Sequence, residues 1–488
     1  MASIEELRND RLKKIELLKE KGIESYPAAS HRTDTVATFI DRFSLYEAGK
    51  DEITLAGRIM SKRGQGALAF VDLFDGTAKT QLVFKSDGMD SALYALFTDT
   101  ADTGDFIEVI GTAYTTQRGA QSLFVKSWHM LAKSLRPIPD GWYGIEDPEE
   151  KLRKRYLDIL GNADVAEMVK KRSVFWNTMR SFLLAQDFVE VETPVLENTT
   201  GGAEARPFVT HHNALDMEVF LRISAGELWQ KKLLVAGIPR TFEIGRIFRN
   251  EGMSAEHLQD YTQMEFYMAY SDYLKGMEMI KRLYREIAEK TFGTTTFTIK
   301  GFTVDLNADW VTYDFVAIIA EHYGIDALAT SVDEIEAALI KHGIEYDKKA
   351  ISVERGVDLL WKKVRKSLGG PGFLVNVPVY LEPLAKKNRT NPQTVERFQV
   401  IIAGSEVGKG FSELNDPVDQ KERFMKQQDL RDAGDDEAQM ADMEYVEAME
   451  YGMPPAFGFG VSERLFSFLL DKPVRESQIF PLLKPRQD

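Results

Sequence analysis

The stretch RTFEIGRIFRNEGMSAEHLQDYTQMEFYMAY, residues 240–270, carries the reading of the fold. It reads as a strand, a polar loop and a returning strand. Arg249 stands where the first strand ends, beside a loop that holds Glu251 and His257. An arginine so placed offers fixed, bidentate donors to a triphosphate, and the glutamate and histidine offer partners to a nucleobase. The same arginine also fits a plain salt-bridged structural role, and this stretch alone leaves both open.

Outward toward the C-terminus, Gly458-Phe-Gly460-Val-Ser-Glu-Arg464 runs from a glycine-rich strand into a helix. Glycine lets a ligand approach the backbone, and Arg464 would then stand by its phosphates. Other chemistries drop out. His211 and His212 are adjacent in an expected strand, so they face opposite ways and cannot share a metal. No GxSxG or P-loop occurs, and Gly-Gly-Pro-Gly at 369–372 reads as a turn. The chain has no cysteine, which removes disulfides, thiolate metal sites and cysteine nucleophiles. A net charge of −15 excludes a generally basic nucleic-acid coat but leaves room for a local basic patch.

The length of 488 residues implies two or three domains. Residues 4–21 suit an amphipathic helix, either docked on the next domain or presenting Arg8, Arg11, Lys13 and Lys14 to a phosphate backbone. From 52 to 133, five short β-type runs separated by Arg-Gly and Asp-Gly turns suit a small closed barrel, with the OB-fold leading. A Pro/Gly-rich linker leads into a charged helix, Lys151 to Leu160. Beyond it, helices are expected at 164–187, 224–237, 272–291, 311–323 and 332–343. Strands are expected at 207–210, 218–223, 240–244, 263–270, 373–377 and 398–404. Segregated helices and hairpin-like strands give an α+β class: a barrel followed by an antiparallel sheet flanked by helices. The expected division is 1–48 as helix and lead-in, 49–135 as barrel, 136–155 as linker and 156–488 as the catalytic domain. No apolar run approaches the ~20 residues that span a bilayer. The N-terminus lacks an apolar signal core, so a cytoplasmic protein is expected.

Taken together, these stretches resemble the class II aminoacyl-tRNA synthetases. Phe188-Val-Glu-Val-Glu192-Thr-Pro194 is similar to their first signature motif (near 188–196), Phe248-Arg249-Asn-Glu251-Gly to the second (within 242–270) and Glu463-Arg464 to the third (458–466). More closely, the chain resembles the bacterial-type lysyl-tRNA synthetases. The resemblance is carried by Arg155–Asp158, Gly201–Phe208, Thr210–Leu215, Met264–Tyr270, Glu382–Asn388, Gly410–Asp416 and Asp435–Ala438.

That resemblance implies ATP-dependent activation of L-lysine to lysyl-adenylate and transfer to the 3′ end of tRNA(Lys), in a homodimer with Mg2+ and no membrane attachment. It implies that Arg249 clamps the α-phosphate and the lysine carboxylate, and that Arg464 holds the far end of the triphosphate. Glu251, His257 and Tyr261 would hold the nucleotide, and Glu406 the metal. Gly202 and Glu227 would take the α-amino group of lysine. Glu265, Tyr267 and Glu413 would take its side-chain ammonium, with Phe411 against the methylenes. In the barrel, Phe70 would stack on an anticodon base, with Arg58 and Gln81 on its edge.

The chain departs from the family at Gln399 (usually a second metal-binding Glu), Lys409 (usually a small amide) and Glu256 (usually basic). The turn before Glu227 is one residue longer, and the third motif about one residue shorter. Three alternatives compete: an aspartyl- or asparaginyl-type synthetase, a lysine-transferring protein modifier, and a non-catalytic tRNA-binding paralogue. The first would lack the Glu265–Tyr267 pocket, the second the barrel, and the third Arg249 or Arg464.

Overall fold

The computed structural model describes residues 3–139, 145–203, 205–252, 254, 256–348, 351–432 and 440–486. Residues 140–144 of the expected linker, Glu204, Met253, Ala255 and Asp435–Ala438 lie outside the described residues. The chain forms two compact units, residues 1–151 with 156–161, and residues 152–155 with 162–488.

In the first unit, β1 (Glu52–Gln65), β2 (Leu68–Phe74), β3 (Lys79–Lys85), β4 (Phe106–Thr115) and β5 (Gln121–Ala132) close a barrel in the order β1-β2-β3-β5-β4. Inward positions such as Leu55, Val71, Leu73, Leu82 and Val109 are fully buried and alternate with more exposed neighbours. The helix Ser91–Thr100 joins β3 to β4 and drives Phe97 into the core, stacked on Phe84 at 3.8 Å and edge-on to Trp128 at 5.4 Å. The helices Ile4–Glu20, Val36–Asp41 and Phe43–Gly49 share this core through Leu18, Val36, Phe39 and Phe43. Two N-terminal basic residues are structural. Arg11 is buried and donates to the Thr103 and Ser134 carbonyls (3.1 and 3.0 Å), and Lys14 pairs with Asp102 at 2.8 Å. The helix is therefore docked on the barrel, with Arg11 and Lys14 engaged in holding it there, while Lys13 stays exposed.

The second unit is built on an eight-stranded sheet in the order β14-β15-β16-β17-β18-β11-β10-β6. Its strands are β6 (Val189–Glu190), β10 (Arg240–Phe248), β11 (Asp260–Ala269), β14 (Val311–Asp314), β15 (Gly372–Val375), β16 (Arg397–Ile402), β17 (Ser405–Ser412) and β18 (Ala456–Ser462). Pairing is antiparallel except for β14 with β15 and β6 with β10. Satellite sheets are β7 (Leu196–Glu197) with β9 (Met217–Leu221) and β8 (Val209–His212), and the hairpin β12 (Thr296–Ile299) with β13 (Phe302–Asp305).

The structure departs from the sequence expectation at several places. The helix expected at 311–323 begins only at Phe315: Val311, Thr312 and Tyr313 pair with β15, and the Asp314 side chain caps Ala317 N–H at 2.9 Å. β-branched and aromatic residues beside an open sheet edge favour pairing over helix. The charged helix at 151–160 is two helices, Pro148–Arg153 and Arg155–Gly161. β17 is a strand that Gly408 and Gly410 conceal by interrupting its alternation.

Candidate active site

The site is laid across β11, β18 and β17. Glu265 of β11 and Lys409 of β17 both stand opposite Gly460 of β18, and Tyr267 and Phe411 both stand opposite Gly458. The two glycines leave a trough between rows of large side chains. A Cβ at Gly458 would collide with the Glu413 carboxylate and the Tyr267 ring. The trough opens into a cleft of ≈ 1100 Å³. Gly202, Glu227, Glu265, Tyr267, Phe411 and Glu413 line it, together with Arg249, Glu251, His257, Tyr261, Glu406 and Arg464. The tertiary fold thus gathers into one cavity residues spread over more than half of the chain.

One end of the cleft is acidic and dry. The Glu265 carboxylate accepts from Ala225 N–H (2.9 Å), Gln263 Nε2 (2.5 Å) and the Tyr267 hydroxyl (3.0 Å). Burial, with Glu227 nearby, pushes its pKa up to about 7 despite these bonds. Glu413 is 1% exposed, and burial lifts it to about 8 against the pull of Lys231. The Lys231 ammonium lies 2.7 Å from Glu227 and 2.5 Å from Glu413. Lys231 thus meets one Glu413 oxygen, and the other is buried without a hydrogen-bond partner among the described residues. Buried acceptors left in this state point to a ligand that donates to them.

The other end is basic. Arg249 donates through Nε to the Ile223 carbonyl at 3.2 Å and stands 6.0 Å over the Tyr261 ring. Arg464 pairs with Glu256, which also meets Lys300 at 2.5 Å. Burial and the positive charge of Arg464 hold His257 below its usual pKa, favouring a neutral ring that accepts or donates without adding charge. Its Nδ1 is 2.8 Å from Ser254 Oγ. Glu406 has one oxygen engaged by Trp361 Nε1 at 2.7 Å.

On the barrel, β2 and β3 present a polar outer strip. Phe70 faces Arg63 on β1 and Val83 on β3, and Asp72 faces Ser61 and Gln81. Phe70 and Gln81 share this strip. Arg58 sits four residues along, opposite Phe74, donates to the Gly104 carbonyl at 3.2 Å and lies 4.3 Å over the Phe106 ring. The structure therefore separates Arg58 from Phe70, and Arg63 is the arginine beside it. The side chain of Arg63 is 67% exposed.

Residues 147–484 match the tRNA synthetases class II (D, K and N), and residues 53–135 match the OB-fold nucleic acid binding domain. The curated relatives include a lysine--tRNA ligase of Roseiflexus castenholzii, 41% identical over 99% of this chain and 100% of that protein. Others are the lysine--tRNA ligases of Thermotoga maritima, at 38% identity over 99% and 97%, and of Carboxydothermus hydrogenoformans, at 40% over 99% and 99%. The chain belongs to the class II lysyl-tRNA synthetases.

In this synthetase the departures from the family pattern acquire partners. The Gln399 side-chain oxygen accepts from Arg397 at 2.5 Å. Lys409 reaches Glu382 at 3.3 Å and is half exposed, so it pairs with neither Glu406 nor the acidic pocket. Glu256 shields Arg464. The sequence reading passed over Lys231, although Glu227 and Lys231 stand at i,i+4 on the helix Glu227–Val235, a spacing that pairs opposite charges. Arg58 was grouped with Phe70 from the sequence, whereas the residue paired with Phe70 across β1 and β2 is Arg63. No helix among the described residues is long and apolar enough to cross a membrane.

Proposed function

We propose that the synthetase activates L-lysine with ATP to lysyl-adenylate and passes the lysyl group to the 3′ end of tRNA(Lys), as a cytoplasmic homodimer. The observation that carries the choice of amino acid is the pair of buried carboxylates, Glu265 and Glu413, at the closed end of a slot walled by Tyr267 and Phe411. An ammonium on a flexible apolar stem fits such a slot. An aspartate side chain would be repelled by it, and asparagine would leave carboxylates without a counter-charge.

Lysine enters with its methylenes along Phe411 and Tyr267, its side-chain ammonium on Glu265 and Glu413, and its α-amino group on Glu227 and the backbone at Gly202. Gly202 has φ +85°, and a Cβ there would come within 2.7 Å of both Glu227 and Ser224. The substrate carboxylate is already ionised at neutral pH, so adenylation needs no general base. One carboxylate oxygen attacks the α-phosphorus, the bond to the bridging oxygen breaks, and pyrophosphate leaves. Arg249 neutralises charge on the α-phosphate as it builds, and Arg464 holds the leaving end. Tyr261, Glu251 and His257 hold the nucleoside.

Glu406 fits a role in Mg2+ binding, because one of its oxygens stays free after the Trp361 bond. Among the described residues no cluster of three or more His, Asp or Glu could hold a metal alone. This donor set suits an ion bound mainly through phosphate oxygens and water. Mg2+ bound there would offset negative charge on the phosphates.

The homodimer reading rests on the first-motif region, where Val189, Val195, Leu196 and Val209 are between 42% and 53% exposed. An apolar surface of this kind is suited to burial against a second subunit. Sedimentation should give a dimer, and a stable monomer near 55 kDa at micromolar concentration would exclude it. The function as a whole is tested by ATP–pyrophosphate exchange across all twenty amino acids. Lysine alone should support strong exchange, and a preference for aspartate or asparagine would refute the assignment.

A further inference from the structure

Lys231 is a charged side chain with no part in the mechanism above, yet it lies buried against two of the carboxylates that line the lysine pocket. It is 1% exposed, with its ammonium between Glu227 and Glu413 and 5.6 and 5.4 Å from the Tyr267 and Phe411 rings. A buried lysine normally loses its proton, because the low-dielectric interior penalises the charge. Here burial opposes the charge, but the carboxyl groups of Glu227 and Glu413 beside it raise its pKa and keep it protonated.

The charges of the pocket can be counted. Glu227, Glu265 and Glu413 are 6%, 4% and 1% exposed. With one carboxylate matched to the resident ammonium, two carboxyl groups are left for the substrate to meet. Free lysine carries two ammonium groups, while its carboxylate is directed to Arg249. The balance closes for a diamino acid. An amino acid with a neutral side chain leaves one buried carboxylate uncompensated.

We propose that Lys231 is the resident counter-ion of this pocket, a positioning residue that holds the Glu227 and Glu413 side chains in place from behind, so that the site demands two further ammonium groups on one substrate. This rests on the reading of the cleft as lysine-activating. Lys231 is fixed in this role, not a placeholder that the substrate expels. The groups facing it from each packed element are Glu227 on its own helix, Glu413 after β17, Glu265 and Tyr267 on β11, and Tyr445 from the helix Met443–Glu450. Asp442, at the start of that helix, pairs loosely with Lys232 at 4.0 Å.

The test is Lys231→Met, which keeps length and apolar bulk, measured by lysine-dependent ATP–pyrophosphate exchange from pH 6 to 9. Without the counter-ion, Glu413 binds its proton more tightly, and lysine must displace that proton to bind. The expected result is a loss of about tenfold or more in kcat/KM for lysine at pH 7, an unchanged KM for ATP, and a pH profile shifted alkaline by about one unit or more. An unchanged lysine KM with an unmoved pH profile would overturn the proposal. So would a lower lysine KM, which would make Lys231 an occupant that the substrate has to expel. Thermal melts of Lys231→Met with and without Glu413→Gln cover a failure to fold. A counter-ion predicts that the double variant is the more stable, because the stranded carboxylate is gone, whereas additive losses would refute the role. The wild-type protein is the control: if it lacks lysine-dependent exchange, the lysine reading itself fails, and that failure is separate from any result with the variants.

Discussion

Glu413→Gln is the sharpest probe of the pocket, because it preserves shape and removes only charge. Losing one partner of a buried ion pair typically costs about 3–5 kcal/mol. The wild-type protein already bears part of that cost at pH 7, since ionising a carboxyl held up to about 8 takes on the order of 1 kcal/mol there. The net loss should therefore be about 2–4 kcal/mol, or roughly one and a half to three powers of ten in kcat/KM for lysine. The pH dependence follows from the same group. Only the ionised carboxylate receives the ammonium, so wild-type kcat/KM for lysine should climb with pH and level off above about 8. The glutamine variant should lose the part of that rise due to Glu413 and keep only the part that Glu265, held up to about 7, contributes. Lysine-dependent ATP–pyrophosphate exchange between pH 6 and 9 measures both effects, with the ATP KM as internal control. Wild-type kcat/KM for lysine in the variant at pH 9, where the native carboxyl is ionised, would refute the role given to Glu413.

Four further outcomes are expected. Gly458→Ala should abolish lysine activation while ATP still binds, because the new methyl group meets Glu413 and Tyr267; retained exchange would show that the trough is not the lysine site. Glu256→Gln should lower the KM for ATP severalfold by releasing Arg464 and Lys300 toward the phosphates, whereas a raised KM would make Glu256 a ligand-holding residue. In the barrel, Phe70→Ala should cost about 1–3 kcal/mol of tRNA binding; Arg63→Ala should also weaken it, and Arg58→Ala should instead lower the melting temperature. The reverse order for the two arginines in tRNA titrations would contradict the strand register. Glu197 is buried, accepts from Trp229 Nε1 at 2.9 Å and is pushed up to about 7 by burial, above its ordinary 4.5. A carboxyl raised on folding favours the fold below pH 4.5 and loses that advantage as pH climbs through about 7. Glu197→Gln should therefore leave the melting temperature unchanged near pH 4 and raise it at pH 8, and a lower melting temperature at pH 8 would show that the charge is useful.

What the linear sequence determined is whatever rests on neighbours along the chain. Alternating apolar residues marked the barrel strands, and the strand–loop–strand at 240–270 placed Arg249, Glu251 and His257 at the connecting loop and Glu265 on the returning strand. A hairpin keeps its loop close to both strands, so the loop residues could be read as a site before any partner strand was known. The family resemblance then brought Glu265, Phe411, Glu413 and Arg464 into one expected cavity. What only the tertiary structure decided is whatever depends on which residues meet from distant parts of the chain. Register across β1 and β2 put Arg63, not Arg58, beside Phe70. A parallel neighbour turned residues 311–314 from helix into β14. Lys231 could be any helical surface lysine until the fold closes Glu413 over it, and Glu256 could be any loop carboxylate until Arg464 arrives from two hundred residues away. Charges separated by long stretches of chain acquire their energies only from burial and pairing, and both are properties of the packed molecule.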